Sequence, residues 1–317
     1  MTAKLVLESE KSKAKKKMKI FVISLAAVLA LTGCAHDGEN DGESPAETSR
    51  DVMQLYRSTV SGSKYIMHAL GGDAGNTYIN SVEVLAHWYE RGMRPYEADV
   101  WETSDGRLVL THRSSNMDGT LSDNDKKRLG YTGGGIPTFE EFMKFKVHGT
   151  YPTSSFKELV DFMAEHDDMF VKPDINQRLY DDTRRLYQKM YDDAGGNTDV
   201  LDRIIANGWS SDMISAIRDV YDFKILNMYW NTKSKREFEE AEEFIEFCKR
   251  NGVSAFSTAK EFVKEDSQSV KALVDSGLIG YVYTINDSAE YEVFMSEYPF
   301  IDCVGTDLLG ADMMTGL

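Results

Sequence analysis

The residues able to do chemistry crowd into a few short stretches. Glu97 and Asp99 lie two apart in the run Arg94–Val100. In a strand, residues i and i+2 share a face, so both carboxylates point the same way. Asp174 ends a second strand-like run, Met169–Asp174, and Asp307 follows a third, Ile301–Thr306. Carboxylates gathered at buried strand ends are costly without a cation. An all-oxygen set suits Mg2+ or Ca2+ better than zinc. Salt bridging to Arg94 or Lys172 is the alternative, and the sequence leaves it open. His68 closes the run Lys64–His68 and His112 closes Arg107–His112. At one mouth, two imidazoles can serve as a general acid–base couple. His87, His148 and His166 lack that placement and read as solvated or packing residues. No G-x-S-x-G elbow, H-E-x-x-H pair, Walker sequence or G-x-G-x-x-G helix start is present.

The elements that must position these groups alternate. Strand-like runs fall at Lys64–His68, Arg94–Val100, Met169–Asp174, Arg203–Asn207, Lys224–Tyr229, Val253–Phe256, Gly280–Ile285 and Ile301–Thr306. Amphipathic stretches lie between most of them, among them Val82–Tyr89, Phe156–Met163, Tyr180–Tyr191 and Glu237–Cys248. Eight strand–helix repeats predict an α/β fold, a (β/α)8 TIM barrel, with an open doubly wound sheet as the alternative. Only Trp101–Gly106 separates Val100 from the next strand-like run. That is too short for a parallel crossover, so a β-hairpin is inserted after the second strand. Ser104-Asp105-Gly106 supplies its turn. The long connection from Arg113 to Ser155, with a short helix over Thr138–Phe145, should line or cover the mouth.

The chain of 317 residues is 42% hydrophobic and 28% charged, which excludes disorder and a multi-span membrane protein. Its net charge of −16 argues against nucleic acid as a partner. Seven Lys and two Glu fall in the first 33 residues, so the remainder carries −21. Lys15–Lys19, the apolar run Ile20–Leu31 and Thr32-Gly33-Cys34 predict a signal peptide over 1–33, with translation from Met1 or Met18. Leu31-Thr32-Gly33-Cys34 resembles the bacterial lipobox, which makes Cys34 the lipidated residue. Residues 34–50, rich in Asp, Glu, Gly and Ser, predict a flexible tether before a domain over 51–317. The expectation is an exported lipoprotein held on the extracytoplasmic side of a membrane by its N-terminal anchor. Cys248 and Cys303 read as buried thiols.

Three blocks carry a resemblance to a known family. They are Ile66-Met67-His68 with Asn80-Ser81, then Tyr96-Glu97-Ala98-Asp99 with Thr103–Gly106 and Leu108–His112, and a later set, Met169–Asn176, Tyr283–Asn286 and Gly305-Thr306-Asp307. From about Tyr65 to Asp307 the chain resembles the glycerophosphodiester phosphodiesterases, in their bacterial phosphatidylinositol-phospholipase-C-like branch. The resemblance implies a barrel hydrolase of glycerophosphodiesters or phospholipid-derived headgroups. One divalent cation, Ca2+ or Mg2+, would sit on Glu97, Asp99 and a third carboxylate, and His68 and His112 would divide proton transfer. It also implies Asn80, Arg113, Lys172 and Asn176 at the substrate. The sequence departs from the family's pattern in three places. Ala69 stands where the family has Arg, Arg113 where it has Asp, and the third strand admits two registers. One keeps Lys172 but puts Phe170 at the ligand position. The other, adopted here, makes Asp174 the ligand and turns the family's Lys into Asn176. A catalytically weakened ligand-binding barrel, or an enzyme that transfers or cyclises a headgroup, remains the alternative.

Overall fold

The computed structural model describes residues 45–113, 121–231 and 237–308, with side chains from residue 52 onward. The signal peptide, Cys34 and the tether up to residue 44 lie outside the described residues, as do residues 114–120 of the long connection. No helix among the described residues is long and apolar enough to cross a membrane.

The strands are β1 (Tyr65–Met67), β2 (Pro95–Glu102), β3 (Leu108–Leu110), β4 (Lys146–Val147), β5 (Tyr151–Pro152), β6 (Ser154–Ser155), β7 (Phe170–Ile175), β8 (Ile205–Gly208), β9 (Ile225–Tyr229), β10 (Ala255–Ala259), β11 (Ile279–Tyr283) and β12 (Cys303–Thr306). Eight are parallel and form a ring in the order β1, β2, β7, β8, β9, β10, β11, β12 and back to β1. The β7–β8 seam closes through a parallel bridge between Val171 and Ile204. These eight are the runs expected from the sequence, each within a few residues, and the architecture is the (β/α)8 barrel. Their side chains are buried at nearly every position, as strands with one face in a barrel and the other under helices must be.

The insertion after the second barrel strand is a hairpin. β2 continues past Val100, and Val100, Trp101 and Glu102 pair antiparallel with Leu110, Val109 and Leu108. The Thr103 hydroxyl donates to Asp105 at 2.7 Å, and Gly106 takes φ +82° to reverse the chain. The long connection then folds over this hairpin. It holds the helix Asp123–Leu129, a helix Phe139–Phe142 capped by Thr138, the pair β4–β5, and β6, which extends the hairpin through β3.

Two expectations need correction. The helix Pro45–Ser63 begins six residues inside the segment read as a flexible tether, so 45–50 are helical. The reason lies downstream. Val52, Met53, Tyr56 and Val60 fall on one face and close the N-terminal end of the barrel against Ile66, Phe170, Ile205, Ile225, Ala255 and Ile279. Composition of the tether alone could not reveal a helix anchored from its far end. The helix expected over Glu237–Cys248 starts at Ala241, with Glu240 extended at its N-cap. Phe238 is still buried against Phe244 and Phe247, so its apolar character reflects the core, not the helix. Both expected free thiols, Cys248 and Cys303, are buried.

Candidate active site

The C-terminal ends of β1, β2 and β7 meet at the mouth, and register decides what they present. Glu97 lies opposite Lys172 and Asp99 opposite Asp174 across the β2–β7 pair. Oxygens of Glu97, Asp99 and Asp174 come within 4.8 Å of one another. This is the outcome required by the register that makes Asp174 the third carboxylate. Burial raises Asp99, Glu97 beside it adds to the rise, and the two histidines and Asn80 oppose it. Burial also raises Asp174, and Asp99 raises it further against the pull of Lys172 and Tyr229. Three hard oxygen donors whose charges repel in a desolvated mouth match what a divalent cation of the Mg2+ or Ca2+ type requires.

Each ligand candidate is held by a polar neighbour. Glu97 Oε2 accepts from the Ala69 amide at 2.8 Å. Asn80 grips Asp99 at both ends, donating from Nδ2 to Oδ2 at 2.8 Å and accepting the Asp99 amide at 3.0 Å. Asn207 donates to Asp174 at 3.0 Å, and its own carbonyl accepts from Asn227, whose carbonyl accepts from Ser257. This chain of buried amides fixes the carboxylate from across the barrel. The loop bearing Ala69 and Asn80 holds Ala69, Leu70, Ala74, Tyr78 and Asn80 at positive φ. Non-glycine residues adopt that region seldom, and clusters of it mark segments whose shape is imposed by surrounding contacts.

His68 directly follows β1 and faces the trio. Its Nδ1 contacts Asp307 Oδ1 at 3.0 Å and its Nε2 lies 3.9 Å from Glu97. Burial pulls the imidazole down, but Glu97 and Asp307 outweigh it and raise it to about 9. Asn286 donates to the other Asp307 oxygen at 2.9 Å. His112 follows the hairpin, with Asp125 Oδ1 at 3.5 Å from its Nδ1. The ring of Tyr78 packs edge-on against both imidazoles, with centroids 4.8 Å from His68 and 4.7 Å from His112. The topology thus brings together both histidines and all three carboxylates expected from the sequence.

The four residues expected at the substrate are placed differently. Asn80 is fully buried and both ends of its amide serve Asp99, so it orients a ligand candidate and does not face a substrate. Lys172 is 2% exposed. Its ammonium bonds the Tyr229 hydroxyl at 3.2 Å and sits 4.5 Å from the centroid of the Tyr281 ring. It is an internal counter-charge beneath the trio, and burial lowers its pKa. Asn176 is exposed past the end of β7, and its amide donates to the Arg113 carbonyl. Arg113 in turn lies over Trp101, 5.5 Å from the ring centroid. Arg94, the other cation weighed as a salt-bridge partner, pairs with Asp168 instead.

Sequence reasoning missed several members of the site. Asp307 was visible as a strand-end carboxylate, but nothing linked it to His68. Tyr78, Asp125 and Arg128 come from connections with no periodic signal. Asn207 and Tyr229 lie at the C-terminal ends of strands already recognised, where a buried Asn or Tyr among apolar residues is itself the signal of a polar interior.

The sequence profile described as the glycerophosphoryl diester phosphodiesterase family matches residues 72–311. A search of curated proteins finds no match. Among solved structures, a candidate glycerophosphodiester phosphodiesterase from Galdieria sulphuraria is 16% identical with a TM-score of 0.61, over 80% of this chain and 97% of that one. A glycerophosphodiester phosphodiesterase from Parabacteroides distasonis is 14% identical with a TM-score of 0.58, over 79% and 94%. A phosphodiesterase from Oleispira antarctica, solved with the product sn-glycerol-3-phosphate, is 12% identical with a TM-score of 0.57, over 80% and 96%. At these identities the structures share the fold. The profile match spans well over half of the chain, and with it this protein belongs to the glycerophosphoryl diester phosphodiesterase family and is a phosphoric diester hydrolase.

Proposed function

We propose that the protein hydrolyses a small glycerophosphodiester, or a headgroup diester derived from a phospholipid, with one divalent cation on Glu97, Asp99 and Asp174. The observation that carries this reading is the convergence of those carboxylates beside two carboxylate-paired histidines at one barrel mouth. When bound, Ca2+ or Mg2+ supplies positive charge to phosphoryl oxygens as negative charge develops on them. Against burial, Glu97 and Asp307 raise His68 to about 9 in the metal-free site, and Asp125 and Asp99 also raise His112. Asp307, which is not among the proposed ligands, still favours protonated His68 when a cation sits on Glu97, so His68 suits delivery of a proton to the leaving alkoxide. His112 is more exposed and takes the proton of the attacking water. Asp307 holds His68 through Nδ1, which leaves Nε2 turned toward Glu97 and the cleft. The product bound to the Oleispira antarctica enzyme supports glycerol phosphate as one half of the cleaved diester.

The place of action we propose is the extracytoplasmic face of a membrane, with Cys34 carrying the anchor. Its support is the sequence of residues 15–34. The activity is tested by incubating the full protein with glycerophosphocholine, glycerophosphoinositol and phosphatidylinositol in Ca2+, Mg2+ or EDTA. Release of glycerol phosphate or a free headgroup that stops in EDTA is expected. No cleavage with either ion overturns the reading, and a cyclic phosphate product replaces hydrolysis with headgroup cyclisation.

A further inference from the structure

His112 is served by a carboxylate that none of the barrel strands provides. Asp125, in the helix Asp123–Leu129, puts Oδ1 at 3.5 Å from His112 Nδ1 with its side chain 1% exposed. The same oxygen accepts from Arg128 Nη2 at 2.9 Å, and that nitrogen also donates to the His112 carbonyl at 2.7 Å. The other oxygen, Oδ2, accepts from the Ser122 hydroxyl at 2.5 Å, while Asp125's amide donates to Ser122 Oγ at 3.2 Å. A carboxylate at this helix position could serve merely to cap the helix start. Here Oδ2 does so, through Ser122. Oδ1 is directed at the imidazole and at the guanidinium that grips the backbone of the same histidine. A buried carboxylate directed at one ring nitrogen fixes both the tautomer and the ring orientation.

We propose that Asp125 is a positioning residue for His112, holding Nδ1 so that Nε2 on the opposite edge of the ring exchanges the proton, with Arg128 locking the pair to the chain. The inference rests on the reading that His112 moves a proton. Among the described residues, the charged and titratable groups facing His112 are Asp99 from β2, Asp125 and Arg128 from the helix, and Tyr78 from the loop after β1.

Two measurements on the full protein test it. The first follows the His112 ring by NMR through a pH titration, and needs no substrate. Asp125→Asn should lower its midpoint by about one pH unit or more, because Arg128 and burial then act unopposed by Asp125. Arg128→Gln should move it upward. The second is kinetic, with glycerophosphocholine as substrate. Asp125→Asn should lower kcat about tenfold or more with KM within about twofold, and Asp125→Glu should recover most of the rate. In a His112→Ala background the added Asp125→Asn should change the residual rate by less than about twofold. A midpoint unmoved in both variants, or a further rate loss without His112, overturns the proposal. If the wild-type protein cleaves nothing, the hydrolase reading falls, while the His112 titration still decides whether Asp125 governs the ring. Thermal melting reports whether Asp125→Asn folds, and Arg128→Gln carries the titration test if it does not.

Discussion

His68 shows how few contacts set the protonation of a site. Asp307 at 3.0 Å and Glu97 at 3.9 Å outweigh a burial that by itself favours the neutral ring. A group whose folded value lies above its unfolded value, here about 9 against 6.5, stabilises the fold fully below the lower figure. That contribution is lost as pH rises through the higher one. Metal-free protein should therefore lose stability between those two values, and Asp307→Asn should flatten the loss. Melting temperatures taken across that range check it, and an unchanged slope would remove Asp307 from the role. Replacing either histidine with Ala should cut kcat by about 100-fold or more. His112→Ala should leave the melting temperature nearly unchanged, whereas His68→Ala should also lower it at neutral pH and below, because Asp307 loses its buried partner. Asp174→Ala should abolish the stabilisation that added Ca2+ or Mg2+ gives in a thermal shift assay, because two carboxylates bind a hard cation far more weakly than three. Full stabilisation in that variant would refute the ligand set. The E-x-D pair and both histidines were legible because strand periodicity fixes their faces. Asp174 needed a choice of register that periodicity cannot make, since Lys172 and Asp174 share a face. Only the pairing of Asp99 with Asp174 made it. Asn80 was legible as a site residue, but its task was not, because its partner Asp99 lies 19 residues away.

At the scale of elements, the barrel has two ends with separate duties. The mouth carries the chemistry, whereas the N-terminal end is closed by the helix Pro45–Ser63. Tyr56 from that helix is buried against Phe170, with ring centroids 5.3 Å apart. Tyr56→Ala should cost about 3 kcal/mol in a denaturant titration, from lost burial and the cavity left behind. Activity per folded molecule should be unchanged, since Tyr56 packs at the opposite end of β7 from Asp174. A fall in kcat would show that the closing helix shapes the mouth. The hairpin was legible because six residues cannot make a parallel crossover. The helix Asp123–Leu129 was not, because its sequence is almost wholly polar and only Asp125 and Leu129 are buried. Its helical character comes from the Ser122 cap and from packing against β4 and the His112 backbone, and such a partner leaves no mark on local periodicity.

For the molecule as a whole, the proposed anchor makes a separate prediction. In bacteria expressing the full chain, Cys34→Ala should move the protein from the membrane fraction to the soluble exported fraction, as immunoblotting of fractions would show. A variant that stays with the membrane would remove Cys34 as the anchor. The net charge of −21 after residue 33 fits this picture as solubility on an exposed surface, with only a few carboxylates drawn inward. By itself the sequence determined the order of strands and helices, the hairpin, the E-x-D pair and the two histidines. Each depends on spacing within one element or on the length of one connection. The tertiary structure alone decided that Asp174 completes the trio, that Lys172 lies beneath it and that Asn80 grips Asp99. It also alone decided that Asp307 and Asp125 stand behind the two histidines. Those contacts join residues far apart in the chain, and closure of the barrel, not any local pattern, sets the distances between them.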